Sequence, residues 1–415
     1  MSSRQVSAGR SAVLAAVALA IVASTGEAAG AVPSTGLARA FIAAGTAAAG
    51  TAAAGTASSG TASSGTAASG AASSGTASSA LAARDSSPAA VCPPAFDVCK
   101  RSIQHVLKIP VVFSGNTAGC RFSWDIHWGD RSMGTHVTKV SPPPGTELLA
   151  RHTYQRQGTF TVMINANVTA GGCTTTGATW QFELLAYVAL GDSYAAGDGA
   201  GAYLTRTGFT GNECLRSRSA YPVLVDADLG NPRPAQGGPT FVFRACTGAV
   251  IGSFTSDQVT ENHAQVGRQL DYVGVPLVGR VGLVTLSIGG TDTLLDAVMS
   301  YCAQRSSGQE SCENHSKVAV NAVLSTIEPQ LKTLFAHVKG GTALAPGARV
   351  LVLGYPALFR ARPTRSCPTG WHRDTFQPSD MAWINSAIQA LDAKIAKAAA
   401  AASVTYVNAY GAGEP

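Results

Sequence analysis

Residues Ala189-Leu190-Gly191-Asp192-Ser193-Tyr194-Ala195-Ala196-Gly197 close an apolar run and open a polar turn. The run from Leu185 to Leu190 reads as a buried strand, and the turn after it as the start of a helix. A serine at that junction can point its hydroxyl into the crevice beyond the strand. Its own N–H, at a helix N-terminus, can meet a developing oxyanion. A serine that merely caps a helix would look the same, so Gly-Asp-Ser alone decides nothing. Further candidate strands are Phe241–Ala245, Val281–Ser287, Arg349–Leu353 and Val404–Val407. Helical stretches lie between them. Met381, Ile384, Ile388, Leu391 and Ile395 recur at helical spacing, and a second helix runs from about Val318 to Val338. This alternation predicts an α/β fold, a five-stranded parallel sheet flanked by helices. In such sheets the active site lies at the C-terminal strand ends.

Two more strand ends carry chemistry. The second is Arg244-Ala245-Cys246-Thr247-Gly248-Ala249, where a glycine lets backbone N–H approach a substrate. The third is Ser287-Ile288-Gly289-Gly290-Thr291-Asp292. Together with Cys214-Leu215-Arg216-Ser217 and Ala220-Tyr221-Pro222, these blocks resemble the secreted bacterial branch of the SGNH (GDSL) hydrolases, serine esterases and lipases of flavodoxin-like fold. The resemblance covers residues 185–415. It implies Ser193 as catalytic nucleophile and the N–H groups of Ser193 and Gly248 as oxyanion donors. Thr291 stands where the family's third donor, an asparagine amide, is expected. A hydroxyl offers one rotatable donor where an amide offers two fixed ones. Asp192 and Asp292 read as turn and capping residues. No metal or organic cofactor is implied, and the expected partner is an ester or lipid substrate.

The family's catalytic base is a histidine near the domain's C-terminal end, in Asp-x-x-His or His-Pro. Here residues 408–415 hold neither, and the histidines of this region are His263, His315, His337 and His372. His372, in a loop, is the weak substitute. The expectation from the sequence is therefore that the base lies beyond Pro415, the hydrolase region lacking its C-terminal end, so that the chain as written is inactive or impaired. The rival is an exported binding protein that has lost catalysis.

Nine cysteines without a CxxC pair argue against zinc ribbons and thioredoxin-like motifs. The disulfide candidates are Cys92–Cys99, Cys120–Cys173, Cys214–Cys246 and Cys302–Cys312, which leaves Cys367 unpaired. In similar secreted esterases a cysteine in the Cys367 loop pairs with one just before the catalytic histidine. That partner too is expected past Pro415.

Upstream, residues 92–184 read as a small β-domain. Phe122, Trp124, Ile126 and Trp128 alternate with polar residues, as do Phe160, Val162, Ile164 and Ala166. Trp128-Gly129-Asp130 and His152-Thr153-Tyr154 with Gly158-Thr159-Phe160-Thr161-Val162 resemble the PKD domain, an immunoglobulin-like β-sandwich, with Arg131 replacing a usual glycine. The resemblance implies a spacer or a module for a polysaccharide or protein surface.

Residues 1–31 read as a signal peptide. Arg4 and Arg10 precede the apolar run Ser11 to Ala23, and Ala29-Gly30-Ala31 fits a cleavage site. An uncut anchor is the alternative. Residues 32–91 read as a disordered linker whose Ala, Gly, Ser and Thr repeat in pentads from Gly45. Its Ser and Thr are candidate O-glycosylation sites. A secreted monomer is expected. Net charge is +6 and no Lys/Arg run exceeds two residues, so there is no nucleic-acid footprint. No apolar stretch reaches the ~20 residues that span a bilayer.

Overall fold

The computed structural model describes residues 98–112, 119–140, 147–170, 178–234, 240–274, 280–304, 308–368 and 375–410. The expected signal peptide and linker, Cys92, Cys173 and His372 lie outside these residues. The strands before the serine stretch are β1 (Val98–Ser102), β2 (Val106–Val112), β3 (Arg121–His127), β4 (Thr135–Val140), β5 (Glu147–Thr153), β6 (Gly158–Ala170) and β7 (Ala178–Leu184). They form one sheet of order β1-β7-β6-β3-β4 and a two-stranded sheet, β2-β5. Along β3 burial alternates, so Phe122, Trp124 and Ile126 enter a core shared with Leu107 of β2 and Ala150 of β5. The turn after β3 is fixed by polar groups. Asp130 accepts from Ser132 N (3.0 Å) and His152 Nε2 (2.8 Å), and the buried Tyr154 hydroxyl donates to Trp128 O (2.9 Å).

Only Leu185 separates β7 from β8 (Ala186–Gly191), the strand that leads to Ser193. The following elements are helix α1 (Ser193–Ala196), α2 (Tyr221–Asp228), β9 (Phe241–Phe243), the hairpin β10 (Gln258–Val259) with β11 (Gln265–Val266), and α3 (Asp271–Gly274). Then come β12 (Val281–Ser287), α4 (Leu295–Gln304), α5 (Cys312–Lys339), β13 (Leu344–Leu353), β14 (Cys367–Pro368), β15 (Thr375–Phe376), α6 (Pro378–Ala401) and β16 (Thr405–Val407). Five strands make an all-parallel sheet of order β16-β13-β12-β8-β9.

Every residue of β8 and β12 is buried, as the middle strands of a sheet covered on both faces must be. Alternation divides their side chains. Val188, Leu190, Val284 and Leu286 pack against α5 and α6 through Leu331, Phe335, Ile388 and Leu391. Tyr187, Ala189, Leu283 and Leu351 face the opposite layer with Tyr221, Val223 and Val225 of α2. The periodic residues Met381, Ile384, Ile388, Leu391 and Ile395 are all buried on α6.

Two boundaries differ from the sequence reading. β13 begins at Leu344, five residues before Arg349, because Val281 pairs with Leu344 across a register shift. Pro346-Gly347, with Gly347 at φ 80°, reads as a turn but is the irregular stretch inside that strand. The second strand stops at Phe243: Arg244 N closes the ladder on Ala189 O (2.7 Å), and Ala245 N turns to that same oxygen (3.2 Å) instead of extending it.

Candidate active site

The turn after β8 depends on Gly191. Its φ is 129°, and a Cβ there would fall on the Ser287 carbonyl oxygen and 2.9 Å from Ala195 Cβ. Only glycine lets β8 stay against β12 while the chain swings into α1. Asp192 then caps the helix: its carboxylate accepts from Tyr194 N (3.1 Å), which makes Ser193 the first helical residue. Ser193 is half-buried at the C-terminal end of a central strand.

Gly248 lies five residues past the neighbouring strand β9, in a turn with φ 76°. Cys246 N donates to Gly191 O (3.0 Å), and a Cys214–Cys246 disulfide ties this turn to the loop after α1. Thr247 N donates to Cys214 O (3.1 Å), and Gln258 Nε2 holds Thr247 O (2.7 Å). Thr291 follows β12, the other neighbour of β8. Its Oγ1 is buried without a hydrogen-bond partner among the described residues. Nor does any protein acceptor among them take the N–H of Ser193 or of Gly248. Three candidate donors on three adjacent strand ends are thus left unengaged.

The residues binding these strand ends together include two that sequence reasoning missed. Tyr355, after β13, donates its phenolic O–H to Asp192 Oδ2 and accepts from Gly290 N (2.9 Å), so one buried hydroxyl joins the serine turn to the Thr291 loop. A phenol just past a strand end, in Gly354-Tyr355-Pro356, was the available signal. Gln269 clamps Gly191 from both sides, accepting from its N (2.7 Å) and donating from Nε2 to its O (2.9 Å). It sits in a loop 78 residues away, and no pattern marks it. Asp292 accepts from Ile251 N (3.1 Å), joining the third strand end to the segment after the second.

Burial pushes the Asp192 carboxyl up to about 7, against the pull of its hydrogen bonds from Tyr355, Tyr194 N and Ser287. Asp292 is raised by burial, and Asp296 is raised by burial and by Asp198 and Glu261 nearby. Asp296, Asp198 and Glu261 therefore lie close enough to oppose one another's ionisation. No hydrogen bond joins Ser193 to an imidazole among the described residues. His263 and His337 are exposed, and His315 stacks on Tyr301 (3.6 Å between centroids). His372 is not described. Among the described residues no group of three or more His, Cys, Asp or Glu could hold a metal ion. Cys302–Cys312 joins α4 to α5. Cys120 is disulfide-bonded, its expected partner Cys173 lying outside the described residues.

Residues 189–415 match the family model of the GDSL-like Lipase/Acylhydrolase family. Among curated relatives the chain is similar to Lipase 1 of Streptomyces coelicolor, 34% identical over 174 residues, 42% of this chain and 53% of that protein. It is also 31% identical over 214 residues to a lipase of Streptomyces rimosus, 52% of this chain and 66% of the relative. The chain thus spans between about half and two thirds of these relatives' length. Similar solved structures include the extracellular lipase from Streptomyces rimosus (30% identity, 55% of this chain and 81% of that one, TM-score 0.41). Phospholipase A1 from Streptomyces albidoflavus NA297 is another (32%, 53% and 78%, TM-score 0.39). No helix among the described residues is long and apolar enough to cross a membrane.

Proposed function

The chain belongs to the GDSL-like lipase/acylhydrolase family, and from that premise we propose that it is a secreted carboxylic ester hydrolase working through an acyl-enzyme on Ser193. The observation that carries this reading is the set of unengaged donors, Ser193 N, Gly248 N and Thr291 Oγ1, on the ends of β8, β9 and β12. Peptide N–H groups normally find an acceptor inside the protein or in water. Two such groups and one buried hydroxyl left open on the end of the serine strand and of its two neighbours suit an oxygen that arrives with the substrate.

In the proposed reaction Ser193 Oγ attacks the acyl carbon and gives up its proton to a base. The carbonyl oxygen takes the negative charge and accepts from the three donors. The alcohol then leaves with a proton, and water hydrolyses the acyl-serine. Each fixed donor in such a site contributes roughly 10²–10³ in rate. The family's base is a histidine, and none of the described residues supplies one in contact with Ser193.

Export is supported by the N-terminal charge and apolar pattern and by the disulfides Cys214–Cys246 and Cys302–Cys312. The strands of residues 98–184 serve, in this reading, as a PKD-like sandwich that spaces the hydrolase from the linker or holds it at a polysaccharide or protein surface. The test is hydrolysis of p-nitrophenyl esters by the full chain and by Ser193→Ala. Turnover that the substitution abolishes supports the reading. Equal background rates from both would mean that this chain does not hydrolyse esters.

A further inference from the structure

Arg216, 7% exposed, is the one buried lysine or arginine among the described residues. A buried guanidinium is ordinarily paired with a carboxylate, because an uncompensated buried charge is costly. Arg216 has no such partner. Its Nη1 donates to Ala245 O (3.1 Å), the only protein acceptor its guanidinium meets among the described residues. Nε and Nη2 are neither bonded to protein nor shut off from solvent.

The ionisable groups that act on Arg216 are a second arginine, Arg244, and Tyr272. Burial and the like charge of Arg244 push the Arg216 guanidinium down to about 10. Arg244 is half-buried, its guanidinium 4.1 Å from the centroid of the Tyr272 ring, and it too forms no ion pair among the described residues. The Tyr272 hydroxyl has no protein partner among them and is open to solvent. Carboxylates on the same segments are engaged elsewhere: Asp271 pairs with Arg268 (3.2 Å), and Glu213 accepts from Asn262 N (2.8 Å).

Backbone holds all three groups in place. Ser217 N donates to Ala196 O (2.8 Å) and Leu204 N to Arg216 O (2.7 Å), which pins Arg216 from both sides. Arg244 N is bonded to Ala189 O (2.7 Å), and Tyr272 N to the carbonyl of Gln269 (3.4 Å), whose side chain clamps Gly191. Donors fixed in advance lose little freedom when a ligand arrives. Two guanidinium forks and a phenol offer more hydrogens than the two coplanar oxygens of a carboxylate can accept. A phosphate group, tetrahedral and up to doubly charged, answers both the donors and the doubled positive charge.

We propose that Arg216, Arg244 and Tyr272 form a binding site for a phosphate group, free or carried on an ester. The site uses none of the donors assigned to ester hydrolysis and does not depend on that reading. The full chain is titrated calorimetrically with inorganic phosphate at constant chloride. Binding should saturate, and Arg244→Gln should weaken it about tenfold, roughly the worth of one charge-assisted hydrogen bond. Tyr272→Phe, which keeps the ring under Arg244, should weaken it about threefold. Acetate should bind about tenfold more weakly than phosphate.

Urea unfolding guards against a variant that merely folds badly. Excess phosphate should raise the midpoint of the parent and leave that of Arg244→Gln where it was. Glycerophosphocholine, a soluble phosphodiester, separates the two sources. If it binds and Arg244→Gln weakens it, the site admits a lipid headgroup; if inorganic phosphate alone binds in this way, the site is one for free phosphate. Either result supports the site. Absence of saturable binding by both probes overturns the proposal, as does acetate binding as tightly as phosphate. So does an affinity unchanged by Arg244→Gln, which would put the anion elsewhere, the strand-end donors included.

Discussion

Tyr355→Phe deletes one oxygen atom and keeps the ring that lies 5.7 Å from Tyr194. Two consequences follow from the geometry. The buried Gly290 N–H loses its acceptor, which costs about 1–3 kcal/mol. Asp192 loses a donor to its carboxylate, worth about 1.5–3 kcal/mol when the group is ionised and less when it is protonated. Burial already pushes Asp192 up to about 7, and the Tyr355 hydrogen bond pulls it down, so the variant's Asp192 should titrate higher still. The expected loss is thus about 2 kcal/mol near pH 5, where Asp192 is protonated in either protein, and about 3 kcal/mol near pH 8, since a group titrating at about 7 can add at most ~1.4 kcal/mol one pH unit above that value. Urea unfolding at both pH values measures it, with midpoints compared at unchanged slope. A loss below ~0.5 kcal/mol at both would mean that the phenol does not bridge the two loops. An equal loss at both would mean that Asp192 does not ionise against it.

Asp192, Asp226 and Asp392 are each pushed by burial up to about 7 from an ordinary 3.8. Between those values the folded chain keeps protons that the unfolded chain has released. Their contribution is most favourable below ~4, falls as pH rises to about 7, and is flat beyond, with a slope of at most ~1.4 kcal/mol per pH unit per group. Asp226→Asn, at a site where one carboxylate oxygen is buried without a partner, should flatten the urea-midpoint profile between pH ~5 and ~7 and raise stability near pH 8. An unaltered profile would remove Asp226 from the argument. Gly191→Ala should cost at least ~3 kcal/mol, because the new methyl group meets the Ser287 carbonyl and φ is 129°. A variant as stable as the parent in urea would show that the β8 turn is not so constrained.

The strands were readable where burial is two-sided. Leu185–Leu190 is a continuous apolar run and Val281–Ser287 is broken only by small or β-branched polar residues because both faces are covered, and the structure puts them within a residue of those bounds. Pro346-Gly347 hid the start of β13, since a local turn signal cannot report a neighbour's register. The chemistry-bearing strand ends were readable because glycine, serine and aspartate interrupt apolar runs abruptly. Tyr355 offered only a phenol past a strand end and Gln269 nothing, because each acts on a strand end far along the chain. Nothing in the periodicity around Gln269 anticipates a clamp on Gly191.

That difference bears on what Thr291 can do. A donor stabilises a transient oxyanion to the extent that it already points there before the charge forms. In the proposed reaction the two N–H groups would be held by backbone: Ser193 by the Asp192 cap, Gly248 by Cys246 N on Gly191 O and by the disulfide to Cys214. A threonine hydroxyl has a free rotor and would ordinarily turn to the nearest carbonyl, as Thr293 does with Gly289 O (2.8 Å). Thr291 Oγ1 has no acceptor among the described residues, although it is buried two positions away. Its loop is fixed by Gly290 N on Tyr355 and by Asp292 on Ile251 N, so the rotor has no competing partner to satisfy first. If Thr291 acts as the proposed third donor, rigidity that an asparagine amide would carry in its own plane is supplied by its neighbours, and the Tyr355 bridge, more than the hydroxyl itself, would limit what threonine costs at this position.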